Sequence, residues 1–314
     1  MPIDKSLLNS FIKVTESAAI GASLHKGKND KIAADQAAVD AMRAELNKIS
    51  MDGKIVIGEG ELDEAPMLYI NEKVGNKNGP ELDIAVDPLE GTNFTAKNLP
   101  NAFSVLAVTK RGDLLNAPDM YMEKIAIGRN LPKNIVDLDF NVEKNIKLLS
   151  EAKNVKISNL TACLLKRPRH AKIIKSLSDL NVKIVYLDDG DVSGAMSVSN
   201  AHNNIDIFLG TGGAPEGVLA AAALKCLNCQ MQTRLVFNDL NEKNRAKKLG
   251  IKNLDKKYYI DDMVKGDVIF CATGVTNGDL VSGIKDDEKH FYSETLALHR
   301  SANINKIFKN KLEK

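Results

Sequence analysis

A short apolar run that ends in acids, Leu82-Asp83-Ile84-Ala85-Val86-Asp87-Pro88-Leu89-Glu90-Gly91-Thr92, constrains this chain more than any other stretch. Ile84 to Val86 reads as a strand. Pro88 has no backbone N–H to give a sheet ladder, so pairing of the strand is expected to stop there. Gly91 allows a tight turn and the close approach of a ligand. Asp87, Glu90 and Thr92 are then left at the carboxyl end of a strand, where open α/β sheets bind ligands. Oxygens grouped in this way suit a hard divalent cation such as Mg²⁺ or Mn²⁺. Asp and Thr are also ordinary turn residues, and this stretch alone leaves a plain capped turn equally open.

With 314 residues the chain is long enough for two domains or subdomains. Hydrophobic residues make up 44% of it and charged residues 27%, which supplies ample core. Lys and Arg number 43 against 41 Asp and Glu, so the charge balance calls for neither nucleic acid nor a membrane surface. No apolar run reaches the ~18 residues of a spanning helix. Asp4 breaks any signal-peptide pattern, and a cytoplasmic protein is expected. Cys226 and Cys229 form a C-x-x-C inside an Ala/Leu-rich helical run, with no second pair or nearby His to complete a zinc site. Together with Cys163 and Cys271 they read as reduced, buried thiols. The basic tail, Lys306 to Lys314, reads as a solvated or frayed end.

Apolar spacing predicts a helix over residues 3–20 and a second over about 30–49, the latter with Ile32, Ala33, Gln36, Ala37, Met42, Leu46 and Ile49. Asp35 falls in its first turns, where one acid is unremarkable. Lys54 to Ile57 reads as a strand running into Gly58-Glu59-Gly60-Glu61-Leu62-Asp63-Glu64-Ala65-Pro66, a turn rather than a helix. Further strands are expected at Ala102–Thr109, Leu160–Leu165, Val182–Leu187, Ile205–Leu209, Met231–Phe237 and Val268–Ala272. The first half therefore reads as α+β and the second as an α/β layer, with a division at 1–155 and 156–314.

Three loops of the second half open helices after strands and offer backbone N–H groups to an anion. Arg167 and Arg169 add cationic forks beside one of them, suited to phosphate, although a solvated helix start explains them nearly as well. The loop Gly210-Thr211-Gly212-Gly213-Ala214-Pro215-Glu216-Gly217 fails the dinucleotide fingerprint, because Pro215 takes the last Gly position and no acid follows at the required offset. Instead it delivers Glu216 to a helix start, either as a stabilising acid or as another metal ligand. His25, His170, His202, His290 and His299 form no ligand pair, and no G-x-S-x-G elbow appears. A carboxylate-lined metal site with anion-binding helix starts is what phosphoryl transfer to water needs.

Taken in order, Ile57 to Tyr69, the Asp87–Thr92 turn, Ala117-Pro118-Asp119-Met120-Tyr121-Met122-Glu123-Lys124 and Gly212–Gly217 closely resemble the class II, GlpX-type fructose-1,6-bisphosphatases. The resemblance runs from about Thr15 to the Ala272–Gly278 segment. It implies a layered α-β-α-β-α sandwich of the lithium-sensitive, metal-dependent phosphatase superfamily. The implied activity is Mn²⁺- or Mg²⁺-dependent hydrolysis of the 1-phosphate of fructose 1,6-bisphosphate in gluconeogenesis, by a homodimer or homotetramer.

Residue by residue, the resemblance implies Asp35 and Glu59 as ligands of one metal, and Asp87, Glu90 and Glu216 as ligands of a second. Glu90, Gly91 and Thr92 would touch the scissile phosphate, and Thr92 would help to activate the attacking water. Tyr121 and Gly213 would contact substrate. Arg167, Pro168 and Arg169 would clamp the uncleaved phosphate, and Asp189, Gly190 and Asp191 would bind sugar hydroxyls. Spacing alone does not choose among the acids from Glu59 to Glu64. The alternatives are a dual fructose/sedoheptulose bisphosphatase, an inositol-phosphate-type phosphatase and a sugar-phosphate-binding protein without catalysis. The absence of Trp argues against the second, and retention of all five acids with Thr92 argues against the third.

Overall fold

A computed structural model describes residues 2–60, 67–199 and 204–314. Glu61 to Pro66, the later part of the expected acidic turn, lies outside the described residues. The chain divides into two compact units, one of residues 1–116 with 264–314, the other of residues 117–263. Position 155/156, where the sequence suggested a division, falls inside the second unit, and residues 264–314 return to the first.

The first unit begins with helices α1 (Leu8–Ser23) and α2 (Lys31–Leu46). Asp30 caps α2 by accepting from the Ala33 N–H at 2.9 Å. The buried stripe of α2 is Ala34, Ala38, Val39, Met42 and Leu46. Ile32, expected on that stripe, is 75% exposed. The small residues face inward because the helices pack closely: a side chain on Gly21 of α1 would meet the Ala37 carbonyl at 2.6 Å.

Strands β1 (Asp52–Ile57), β2 (Lys73–Val74), β3 (Glu81–Glu90) and β4 (Phe103–Lys110) follow, with the short helix α3 (Thr92–Lys97) between the last two. After the second unit come β11 (Val268–Gly274), β12 (Lys285–Asp286), β13 (His290–His299) and β14 (Ile304–Glu313). They form one mixed sheet ordered β12-β13-β11-β4-β3-β1-β2, with β14 paired to β13. Only β1 and β3 run parallel within it among the described strands. One face carries Ile55, Ile84, Val86, Leu106, Val108, Ile269 and Cys271 against the apolar sides of α1 and α2. The tail is not frayed: β14 pairs with β13 in unbroken register from Ile304↔His299 to Glu313↔His290. Ile304 and Phe308 pack on the core, and Lys306 between them is exposed.

The second unit holds β5 (Tyr121–Ile127), α4 (Val142–Lys153), β6 (Thr161–Leu165), α5 (Ala171–Asp179), β7 (Lys183–Leu187), α6 (Asp191–Met196), β8 (Ile207–Gly213), α7 (Ala214–Cys226), β9 (Gln230–Leu235), α8 (Leu240–Lys248), β10 (Tyr258–Tyr259) and α9 (Ile260–Met263). Its sheet is ordered β10-β9-β5-β8-β6-β7. Strands β7, β6 and β8 are parallel with helices between them, as the alternating pattern predicted. Ile125, Ile127, Leu164 and Leu209 pack with Ile146 and Leu149 of α4 and Leu177 of α5. Met122, Lys124 and Phe208 face the other way, toward α6 and α7. The fold class expected from the sequence, α+β in the first half and an α/β layer in the second, is borne out as a mixed α/β fold of two sheets with helices.

Candidate active site

Pairing of β3 does not stop at Pro88. Asp87 pairs with Val105 and Glu90 with Phe103, so Pro88 and Leu89 together oppose Ser104 alone. This is a β-bulge, and it absorbs the proline that cannot donate. The Asp87 carboxylate spans it, accepting from the Leu89 N–H at 3.1 Å. The bulge decides where the acids point. Val105 and Phe103 are two residues apart and share a face of the sheet, so their partners Asp87 and Glu90 share it too. Leu89 is turned to the α1/α2 core instead. Glu90 is buried and Asp87 half-buried. Gly91 follows with φ +84° and starts α3, whose first residue is the half-buried Thr92.

Strand β1 lies beside β3 and runs in the same direction, so both end at one edge of the sheet. Glu59 stands two residues past the end of β1. Its backbone N–H donates to the Leu68 carbonyl at 3.0 Å. Gly58 makes that approach possible, since a Cβ there would run into the same carbonyl. Burial, and after it the charge of Asp35, push the Glu59 carboxyl up to about 7. Burial also raises the pKa of Asp35, on α2. A buried acid at a strand end, its proton affinity raised further by a second buried acid, marks a site in want of positive charge. Asp83, earlier on β3, is different: Arg111 lies 3.0 Å away and the Gly112 N–H donates to it at 2.6 Å. Among the described residues, no three acidic, His or Cys side chains close into a metal cage.

In the second unit the expected glycine loop is mostly strand. Residues Gly210 to Gly213 complete β8 and pair with Lys124 to Tyr121 of β5. Helix α7 starts at once, with Gly213 as its N-cap and Pro215 in its first turn. Three of these glycines leave room for side chains. A Cβ on Gly210 would press on the His170 ring, one on Gly212 on the Asp191 carboxylate, and one on Gly213 on Glu216 Oε2. That Glu216 oxygen is buried and has no hydrogen-bond partner. An orphaned carboxylate oxygen fits an absent cation better than a helix-stabilising role.

The residues expected to clamp phosphate and bind sugar lie on turns beside these strands. Pro168 opens a 3₁₀ turn, Pro168–His170, that carries both arginines at its start. Arg169 Nε donates to the Thr211 carbonyl at 2.8 Å, and its guanidinium lies 4.7 Å from the Tyr121 ring centre. Arg167 pairs with Asp189 at 3.6 Å. Gly190, with φ +90°, starts α6, and Asp191 follows as its first residue. Asp191 is buried in an ion pair with Lys124, itself fully buried in β5. The sequence reading gave neither Lys124 nor His170 a role. A lysine in the middle of the apolar strand Tyr121–Ile127 was the signal for the first.

A profile of the bacterial fructose-1,6-bisphosphatases encoded by glpX matches residues 5–311. The chain belongs to that family. It is 42% identical to the class 2 fructose-1,6-bisphosphatase of Haemophilus influenzae, over 97% of this chain and 96% of that one. It is 43% identical to fructose-1,6-bisphosphatase 1 class 2 of Escherichia coli, over 96% and 94% of the two chains. Among solved structures, the suhB extragenic suppressor protein of Bartonella henselae aligns over 63% of this chain and 73% of that one, with a TM-score of 0.36 and 10% identity. A Thermotoga maritima IMPase aligns over 62% and 72%, with a TM-score of 0.35 and 14% identity. Both of these likenesses are too loose to bear on this chain. The donors here are carboxylate oxygens, one of them orphaned, a chemistry that suits a hard divalent ion.

Proposed function

We propose that this chain removes the 1-phosphate of fructose 1,6-bisphosphate, with water as the acceptor, and so serves gluconeogenesis. The observation that supports the reading is the acidic sheet edge, where the parallel strands β1 and β3 end, with Glu59 after the one and Asp87 and Glu90 closing the other, and where burial and the charge of Asp35 raise the Glu59 pKa to about 7. Asp35 and Glu59 suit one Mn²⁺ or Mg²⁺, and Asp87 and Glu90 suit a second. Glu216 offers an oxygen of the same chemistry. When bound, the ions neutralise the phosphate and make water a better nucleophile.

The protein's own residues do the rest. Glu90 and Thr92, either side of the tight turn at Gly91, present a carboxylate and a hydroxyl to the scissile phosphate. The Thr92 hydroxyl orients the attacking water, and a neighbouring carboxylate must accept the proton that the water loses. Arg167 and Arg169, presented by the turn at Pro168, hold the uncleaved phosphate. Tyr121, Gly213, Asp189, Gly190 and Asp191 bound the sugar. Assembly as a dimer or tetramer and a cytoplasmic location belong to the same proposal. Among the described residues, no helix is long and apolar enough to cross a membrane.

The test is phosphate release from fructose 1,6-bisphosphate, sedoheptulose 1,7-bisphosphate and inositol 1-phosphate, each with Mn²⁺, Mg²⁺ or EDTA. Metal-dependent release from the fructose substrate is the expected result. Equal release from the sedoheptulose substrate would make the enzyme dual. Binding of sugar phosphate without release would make it a binding protein.

A further inference from the structure

His170 is buried, with its ring against Gly210. A Cβ on Gly210 would lie 2.9 Å from Cε1 of the ring, and Gly210 has φ +150°. Backbone groups fix the tautomer. Nδ1 lies 2.7 Å from the Leu165 carbonyl oxygen, which can only accept, so Nδ1 carries a proton. The Thr211 N–H donates to Nε2 at 2.8 Å, which requires a lone pair there. The Thr211 carbonyl is 3.2 Å from Nε2 and is already taken by Arg169 Nε at 2.8 Å.

We propose that His170 is a positioning residue of the phosphate clamp: its unprotonated Nε2 takes the Thr211 N–H, which leaves the Thr211 carbonyl to anchor the Arg169 guanidinium over Tyr121. This rests on the reading of Arg169 as a phosphate contact. A proton added at Nε2 turns the acceptor into a donor. The ring nitrogen then faces the Thr211 N–H donor to donor, and its N–H must turn to the carbonyl that Arg169 already uses. The clamp therefore loosens as pH falls. The charged groups facing the ring are Arg169 and Arg167, both cationic, while Leu165, Gly210 and Thr211 present backbone to it. Burial is the main reason that the ring's pKa lies below the ordinary 6.5. The Leu165 and Thr211 contacts pull upward, and the two arginine charges pull downward.

The experiment is steady-state kinetics on fructose 1,6-bisphosphate at saturating Mn²⁺, from acid to alkaline pH, for the wild type, His170→Phe and His170→Gln. Phe keeps a flat ring without nitrogen. Gln offers the Thr211 N–H an amide oxygen that does not titrate. His170→Phe is expected to raise KM about three- to tenfold at alkaline pH, the worth of one hydrogen bond, with kcat little changed. His170→Gln should recover most of that loss and should lack the extra rise in KM that the wild type shows in acid. Substrate phosphates titrate near ~6 in every assay and cancel in the ratios between proteins. Equal KM for the wild type and His170→Phe at all pH values would overturn the proposal, as would a fall in kcat alone. If neither variant folds, the ¹⁵N shifts of the His170 ring in the wild type decide. A protonated Nδ1 with a bare Nε2 at neutral pH supports the assignment, and a protonated Nε2 overturns it. No hydrolysis by the wild type would count against the functional reading instead. Binding of inorganic phosphate to the wild type and His170→Phe would then carry the same comparison.

Discussion

Asp87 and Glu90 are three residues apart, an odd step that would send their side chains to opposite faces of an unbroken strand. The bulge at Pro88 and Leu89 adds the missing residue and makes them neighbours on one face. Pro88 was legible in the sequence as a break in the ladder. That pairing resumes after it was not, because resumption depends on Phe103 and Ser104 of a strand further along the chain. Lys124 and Asp191 are likewise 67 residues apart and meet only in the folded unit. Removing one partner of such a buried pair strands the other charge. Lys124→Met should therefore destabilise the protein by about 3–5 kcal/mol in denaturant unfolding. Adding Asp191→Asn should restore a good part of that loss. If Lys124→Met alone unfolds at the wild-type midpoint, the pair contributes nothing to the fold.

At the scale of elements, the first half of the glycine run looked like a loop because glycine is depleted in strands. It is strand because Gly210, Gly212 and Gly213 accommodate His170, Asp191 and Glu216, and none of those neighbours is near it in sequence except Glu216. The edge strand β14 was missed for another reason: on the face of Ile304, Phe308 and Leu312 the intervening residues are Lys306 and Asn310, and Ile307 falls on the other face, which breaks the apolar alternation. Helix α1 meets this edge through Glu16, whose carboxylate accepts from Ser293 at 2.5 Å and from Asn310 at 2.8 Å. Burial nevertheless raises its pKa above the ordinary 4.5, against the pull of Ser293, Asn310 and Lys13. The folded state thus holds this proton more tightly than the unfolded chain does. Its contribution to stability is most favourable below pH 4.5 and is lost as pH rises through the folded pKa. Glu16→Gln should raise the melting temperature at pH 8 and change it little at pH 4. An equal shift at both pH values would mean that the charge plays no part.

Across the whole molecule, the chain leaves its first unit at Asn116 and returns to it at Val264. Composition and motif order announced two subdomains, but not this return, because β11 finds its partner β4 more than 150 residues upstream. Asp267, at the point of return, ties the ends of the chain together. It accepts from the Ile3 N–H at 2.8 Å, the Ser301 N–H at 2.9 Å and the Ser301 hydroxyl at 2.7 Å, and lies 3.0 Å from His299 Nε2. Burial opposes its charge, yet Ser301, the Ile3 N–H and His299 together hold its pKa below 3.8. The stability that it adds is present above pH 3.8 and is lost as pH falls through the folded pKa. Asp267→Asn should cost about 1–3 kcal/mol at pH 7, and the difference should shrink toward zero in strong acid. A difference that persists unchanged in acid would assign the loss to packing.

On the proposed reading, the acids at the ends of β1 and β3 hold the ions that drive hydrolysis. The most direct measurement is turnover of fructose 1,6-bisphosphate against Mn²⁺ concentration, for the wild type and Glu59→Gln. The wild type should be inactive in EDTA and recover with Mn²⁺. Glu59→Gln should fold normally, lose turnover by about two orders of magnitude or more, and need far more Mn²⁺ for what remains. Wild-type turnover with an unshifted Mn²⁺ dependence in Glu59→Gln would contradict the claim.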